Sequence, residues 1–260
     1  MAKQMIWSGQ GPILFGDYDA VNGTPEMGYL VNLRRIGCGN RTLTTTPGRE
    51  TKTLKESCSG QRLDIAELET SKSLRVKLEM FMFDRNMLAA AFFGASVLKA
   101  AGTVTDEVLP TVVPDDYVIL KHPKASSIVI EDSTPVTPIT LVEGTHYTVE
   151  SADHSRIKII SLPVGVVHPL KADYSYGEYG NIAAFSATNV RKGVIFSGKN
   201  QDGDTARVIV PRISFGMSGD FPWIGDEEAV LAMEGPAFFV PELENDADYG
   251  PFMRIDALPA

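Results

Sequence analysis

Between residues 66 and 83 the chain reads AELETSKSLRVKLEMFMF, and apolar and polar residues take alternate places. Even positions include Leu68, Leu74, Val76, Leu78, Met80 and Met82. Odd positions include Glu67, Glu69, Ser71, Ser73, Arg75, Lys77 and Glu79. Successive side chains of a strand point to opposite faces, so a period of two separates these sets. Thr70 and Lys72 interrupt the apolar set, and the alternation is cleanest from 73 to 80. Strands commonly run about five or six residues. One this long predicts a large sheet, or a strand that extends past its own domain. One face belongs to a core; the other meets water or a second subunit.

The remaining texture is mostly β. GYLVNLRRI (28–36) is rich in strand formers. From 103 to 180, short runs alternate with Pro and Gly: DYVILK (116–121), SSIVIED (126–132), HYTVES (146–151), RIKIIS (156–161) and LKADYSYGEY (170–179). Turn signals recur at the spacing of a sandwich or meander. RKGVIFSG (191–198), ARVIVPRISF (206–215) and EAVLAMEG (228–235) continue the theme, and Pro211 within its run predicts an edge strand or a bulge. The stretch 41–64, polar and rich in Thr, Ser, Gly, Lys and Glu, reads as a long loop with a short strand at 42–46. DRNMLAAAFFG (84–94) is the one clear helix. Asp84 is its expected cap, Gly94 its expected stop, and Met87, Leu88, Ala91 and Phe92 its apolar face. No repeat of twenty to fifty residues stands out.

Charge is distributed unevenly. Residues 220–260 hold ten of the 33 acidic side chains and one of the 24 basic ones, Arg254, so the whole net charge of -9 resides there. Residues 34–77 carry the opposite bias. Ten cations there (Arg34, Arg35, Arg41, Arg49, Lys52, Lys55, Arg62, Lys72, Arg75 and Lys77) meet five anions, Glu50, Glu56, Asp64, Glu67 and Glu69. Such a chain suits contacts between unlike surfaces of successive copies, the kind that builds rings or filaments. Net acidity argues against gripping nucleic-acid phosphates over the whole surface, and the basic region lacks interleaved aromatics for single strands.

Motifs for catalysis are absent. There is no GxSxG, Walker-type loop, HExxH, paired CxxC or GxGxxG. His122, His146, His154 and His168 have no metal-pair spacing, and read as surface loop histidines. NQDGDT (200–205) lacks the closing glutamate of a calcium loop, since position 211 is Pro; an Asp-Gly turn explains it. Asp226, Glu227 and Glu228 read as solvated carboxylates, with a glycan hydrolase as the weakest of the readings considered. Neither enzyme, metal nor cofactor is expected. Two cysteines, Cys38 and Cys58, suggest reduced thiols rather than a disulfide scaffold. The opening MAKQMIWSGQGP has no apolar run behind Lys3, so no secretory signal is expected. The longest apolar stretch, 87–101, is too short for a membrane span and carries Lys99.

The order of elements and the wording of 43–94 resemble the tail tube proteins of long-tailed bacteriophages. In that family a loop of the flavour E-T-K-T-L-K-E-S-x-S-G leads into a charged alternating strand and then a short helix. Glu50, Lys55, Glu56, Ser57, Ser59, Gly60, Asp84, Asn86, Leu88 and Gly94 carry the likeness here. LVEGTHYTVESADHSRIKIIS (141–161) also resembles a Gly-x-x-Tyr-x-Val unit of such proteins. The resemblance implies a β-sandwich or half-barrel with one flanking helix, spanning 1–260 as one domain. The segment 103–175 is then a β-rich insertion. It implies a virion protein made in the host cytoplasm, whose hexameric rings stack into a hollow tube. Its partners would be itself and other tail proteins (tape measure, terminator, baseplate or tip), with DNA passing through unbound. On this reading Thr46, Arg49, Glu50, Lys52, Lys55, Glu56 and Arg62 form an inter-subunit or inter-ring loop. Glu67, Glu69, Ser71, Ser73, Arg75, Lys77 and Glu79 are candidates for the lumen wall. The alternative is a β-sandwich module that binds carbohydrate or receptor at a tail tip, which predicts exposed aromatic platforms.

Overall fold

A computed structural model describes residues 7–258, apart from 38, 59, 189, 190 and 247. Cys38 and Ser59 therefore lie outside the described residues, as does the whole segment MAKQMI. The chain is mainly β, with 49% of it in strands and a single α-helix among the described residues. In chain order the strands begin with β1 (Ile13–Tyr18), β2 (Leu30–Arg35), β3 (Asn40–Lys55) and β4 (Asp64–Met80), and α1 (Arg85–Ala91) follows. Next come β5 (Ala95–Lys99), β6 (Gly102–Val108), β7 (Tyr117–Ile119), β8 (Ala125–Glu131), β9 (Thr140–Leu141), β10 (Tyr147–Ser151), β11 (Arg156–Ile159), β12 (Lys171–Tyr176) and β13 (Tyr179–Ala183). The chain ends with β14 (Lys192–Lys199), β15 (Thr205–Ile213), β16 (Gly216–Met217), β17 (Leu231–Ala237) and β18 (Arg254–Leu258).

These elements form two compact units, one of residues 1–95 with 182–260, the other of 96–181. The segment read as an insertion, 103–175, lies inside the second. In the first unit the strands form one sheet in the order β2-β1-β14-β15-β17-β4-β3, with β16 added on β17 and β18 on β15. Its core takes Leu74, Val76, Leu78 and Met80 from β4, Leu231 and Met233 from β17, Val210 and Ile213 from β15, and Met87, Ala90 and Ala91 from α1. The even set of the alternating run is buried only from 74 to 80; Leu68 and Met82 are half exposed. Pro211 sits at a bulge, where the β14–β15 register shifts between Lys192 and Val194. A side chain at Gly193 would lie 2.5 Å from the Pro211 carbonyl, so the bulge requires glycine opposite it.

The expected loop 41–64 is the main correction. Most of it is strand: β3 pairs antiparallel with β4 from Asn40 opposite Met80 to Lys55 opposite Asp64. The reason lies in the residues that were read as loop-like. Thr42, Thr44, Thr45, Thr46, Thr51 and Thr53 are β-branched and suit a strand that, beyond Leu43 and Thr45, is wet on both faces. Register shifts at Glu50/Thr51 and Leu54/Lys55 let so long a pair twist. Pro47 is tolerated because β3 is an edge strand.

The helix is shorter than 84–94, and its stop differs from the expected one. The Asp84 carboxylate accepts from the amides of Asn86 and Met87, both at 2.9 Å, as an N-cap should. At the far end Phe93, not Gly94, takes the left-handed conformation (φ 51). Gly94 is needed for space, because a Cβ there would fall 2.5 Å from the Ala183 carbonyl oxygen.

The second unit has its own core. A three-stranded sheet, β10-β11-β7, and a four-stranded sheet, β6-β12-β8-β9, both supply it. Val118, Tyr147, Ile157 and Ile159 come from the first; Ala125, Ile130, Leu141 and Ala172 come from the second. The strands β5 and β13, where the chain enters and leaves this segment, pair with each other. No helix among the described residues is long and apolar enough to cross a membrane.

Candidate assembly surface

The β17 strand covers β4 only from Leu74 to Met80. Beyond Leu74, β3 and β4 continue as a bare two-stranded ribbon, with Gly48–Lys55 facing Asp64–Ser73. Every described residue from 46 to 73 is exposed except Glu56, which is half-buried. Among the described residues no neighbouring strand or helix covers either face, so the ribbon is an arm. Six of the seven proposed inter-subunit residues fall on it; Thr46 pairs with Arg75, where β17 still covers β4. Thr46, Arg49, Glu50, Lys52 and Lys55 lie on β3, and Glu56 and Arg62 in the connection at its tip. The Glu56 amide donates to the Leu63 carbonyl at 2.8 Å, and Arg62 (φ 51) and Gly60 (φ 76) turn the chain. Cys58 is an exposed free thiol there.

Charges stitch the two strands of the arm together. The Glu69 carboxylate takes Arg49 at 3.0 Å and Lys72 at 2.9 Å. The ammonium of Lys72 beside it holds the Glu69 carboxyl below its ordinary value. Lys55 pairs with Asp64 at 3.5 Å, and Ser71 donates to Glu50 at 3.0 Å. Exposed pairs like these contribute little stability, so they set register and charge pattern rather than hold the arm shut. The tip also exposes apolar groups: Leu63 at 55%, Ile65 at 66% and Leu68 at 50%. Among the described residues, nothing of the chain buries this apolar tip.

The residues proposed for a lumen wall divide into two groups. Glu67, Glu69, Ser71 and Ser73 are on the arm. Arg75, Lys77 and Glu79 are on the polar face of the covered part of β4. There Lys77 pairs with Glu79 at 2.7 Å, and Thr42 donates to Glu79 at 3.2 Å. Arg75 reaches Glu234 of β17 at 2.8 Å. Its guanidinium lowers the Glu234 carboxyl, and Lys77 lowers that of Glu79. The face is thus charged but locally neutral. The alternation points to Arg75 and Lys77; nothing in the sequence ties Arg75 to a glutamate 159 positions away.

Of the histidines singled out in the sequence, His122, His146 and His154 have local hydrogen-bond partners, whereas the buried Nδ1 of His168 has none among the described residues. His122 stacks on Tyr176 with centroids 4.0 Å apart and meets the Tyr179 hydroxyl at 2.9 Å. His146 accepts from the Val142 amide, and His154 meets the Ser151 hydroxyl at 2.7 Å. Residues 200–204 turn the chain between β14 and β15, with the Asn200 amide donating to the Asp204 carbonyl at 2.9 Å. Asp226, Glu227 and Glu228 stand exposed on the loop before β17. No metal-competent group of His, Cys, Asp and Glu occurs among the described residues.

A family model spans residues 6–256 of the chain. The chain belongs to that family, described as protein of unknown function UCP028589. The match takes in both compact units, so the arm and the segment 96–181 are each part of what this family is. No curated protein matches the chain.

Proposed function

We propose that this member of the family is a structural virion protein: a subunit of a phage tail tube that polymerises as stacked hexameric rings, through which DNA is ejected. The observation that carries the reading is the arm. It is exposed at every described residue but Glu56, has an apolar tip, and lies in the stretch 43–94 that resembles tail tube proteins. A ribbon of this length buries almost nothing within its own chain, so its stability and purpose point to a neighbouring copy. Net acidity suits a channel that must release phosphates rather than hold them. The subunit's partners on this reading are further copies and the other proteins of the tail.

Negative-stain electron microscopy of the purified protein, with light scattering over a concentration series, tests it. Rings or hollow tubes of uniform width are expected. A particle that stays monomeric up to its solubility limit overturns the proposal. A second reading, a tail-associated carbohydrate- or receptor-binding module, draws on Trp223, which is 72% exposed beside Phe92 and Phe221. A glycan screen separates the two: saturable binding lost in Trp223→Ala favours the module.

A further inference from the structure

The strand β17 runs between two surface features of opposite character. It starts at Leu231, opposite Met80, and ends at Ala237, opposite Leu74. Before Leu231 comes the loop 220–230. Phe221 anchors it, with its ring 5.6 Å from Phe83 and 6.4 Å from Phe92. Past that anchor, Trp223, one side of which lies against Phe221 and Phe92, and Ile224 are 72% and 96% exposed. Three exposed carboxylates, Asp226, Glu227 and Glu228, follow at once. The loop is therefore an apolar knob with an acidic flank.

At the other end, around Leu74, a groove of about 460 Å³ opens where the arm leaves the sheet. Leu74, Pro47, Phe252 and Met253 give it an apolar lining, and Arg49 and Lys72 add two cations. Both cations share the single Glu69 carboxylate, so the patch keeps a net positive charge. Knob and groove match in both respects: apolar against apolar, acid against base.

They cannot meet within one chain. Seven residues of extended strand separate them, roughly 20 Å at about 3.3 Å per residue. We propose that the loop 220–228 of one copy docks into the groove of the next, with Trp223 and Ile224 against Leu74, Phe252 and Met253, and Asp226–Glu228 against Arg49 and Lys72. This deepens the tube reading and rests on it. A contact between two different patches, set at opposite ends of a strand, is heterologous and repeats from copy to copy as a ring or a filament. An aromatic anchor in an apolar pocket with a charged rim is also the usual anatomy of a specific interface.

A charge swap tests the contact on the full chain. One variant carries Arg49→Glu with Lys72→Glu; the other carries Asp226→Lys, Glu227→Lys and Glu228→Lys. All five positions are exposed, and a thermal melt checks that each variant is folded. Each alone is expected to need at least about tenfold more protein for half-maximal assembly than the native chain. Mixed in equal amounts they should regain native assembly, because each groove then faces a loop of opposite sign. A third variant, Trp223→Ser with Ile224→Ser, should lose assembly with no change of charge. If the variants assemble as the native chain does, or the mixture stays impaired, the docking contact is wrong while the tube reading stands. A native chain that never assembles removes both.

Discussion

Asp132 shows how one side chain can organise a loop. It is 1% exposed at the end of β8, yet its carboxylate is fully engaged. It accepts from the amides of Ile139 at 2.6 Å, Val167 at 3.0 Å and Thr134 at 3.1 Å, and from the Thr134 hydroxyl. Burial pushes the carboxyl up, but these donors prevail and bring it down to about 2. A carboxyl lowered on folding stabilises the fold above its unfolded value of 3.8, and this contribution disappears as pH falls through about 2. Native chain and Asp132→Ala should therefore differ in melting temperature at neutral pH and converge as the pH is lowered through that window. A gap that persists at the acid end would show that the carboxylate's charge is not what holds the loop. Asp84→Ala belongs to the same scale. It removes the two cap bonds of α1 and should cost about 1 kcal/mol in chemical denaturation.

At the scale of elements, β4 is one strand with two physical regimes. From Leu74 to Met80 it is covered by β17 and buries alternate side chains; from Asp64 to Ser73 it has only β3 beside it. Val76 is fully buried, and it pairs with Thr45 on one side and Gly235 on the other. Val76→Pro removes a ladder donor, strands an acceptor and loses packing, and should cost about 3 kcal/mol or more. An unchanged melt would place residue 76 outside a central strand. The arm should behave in the opposite way. Replacing 49–72 by Asn-Gly, a turn that suits a two-residue hairpin, should leave the melt within a few degrees of native and abolish assembly. Backbone amide exchange supplies the same contrast in the native chain: slow at 74–80, fast at 49–55 and 64–72.

For the whole molecule, charge placement and core placement make separate predictions. Reversing Arg49, Lys52 and Lys55 together to Glu should yield a folded monomer. Tubes of normal length from that variant would remove the arm from the assembly contact. Assembly should also weaken with salt, since its charged groups are exposed and screened over about 10 Å at 0.1 M. The segment 96–181 has its own core, and its two ends lie on the paired strands β5 and β13. Excised, it should fold alone with a cooperative melt and dispersed amide resonances. A molten fragment would mean that its core depends on the rest of the chain.

Sequence alone determined the features that depend on local periodicity and local chemistry. The alternation at 73–80, the Asp84 cap, the Asp-Gly turn at 200–205 and the choice of edge strand or bulge at Pro211 each follow from residues within a few positions of one another, as does the β texture of 116–179. Tertiary structure decided what depends on distant partners. Whether 41–64 is loop or strand turned on β4 being there to pair with it, since a largely wet, Thr-rich strand has only Leu43 against the core to announce it. The alternating run continues as far as Met82, yet burial reaches only from 74 to 80, because the covering strand β17 is only that long. The ion pair of Arg75 with Glu234 and the groove beside Leu74 join residues more than 150 positions apart. Periodicity reports which way a side chain faces; only the packed chain decides what it faces.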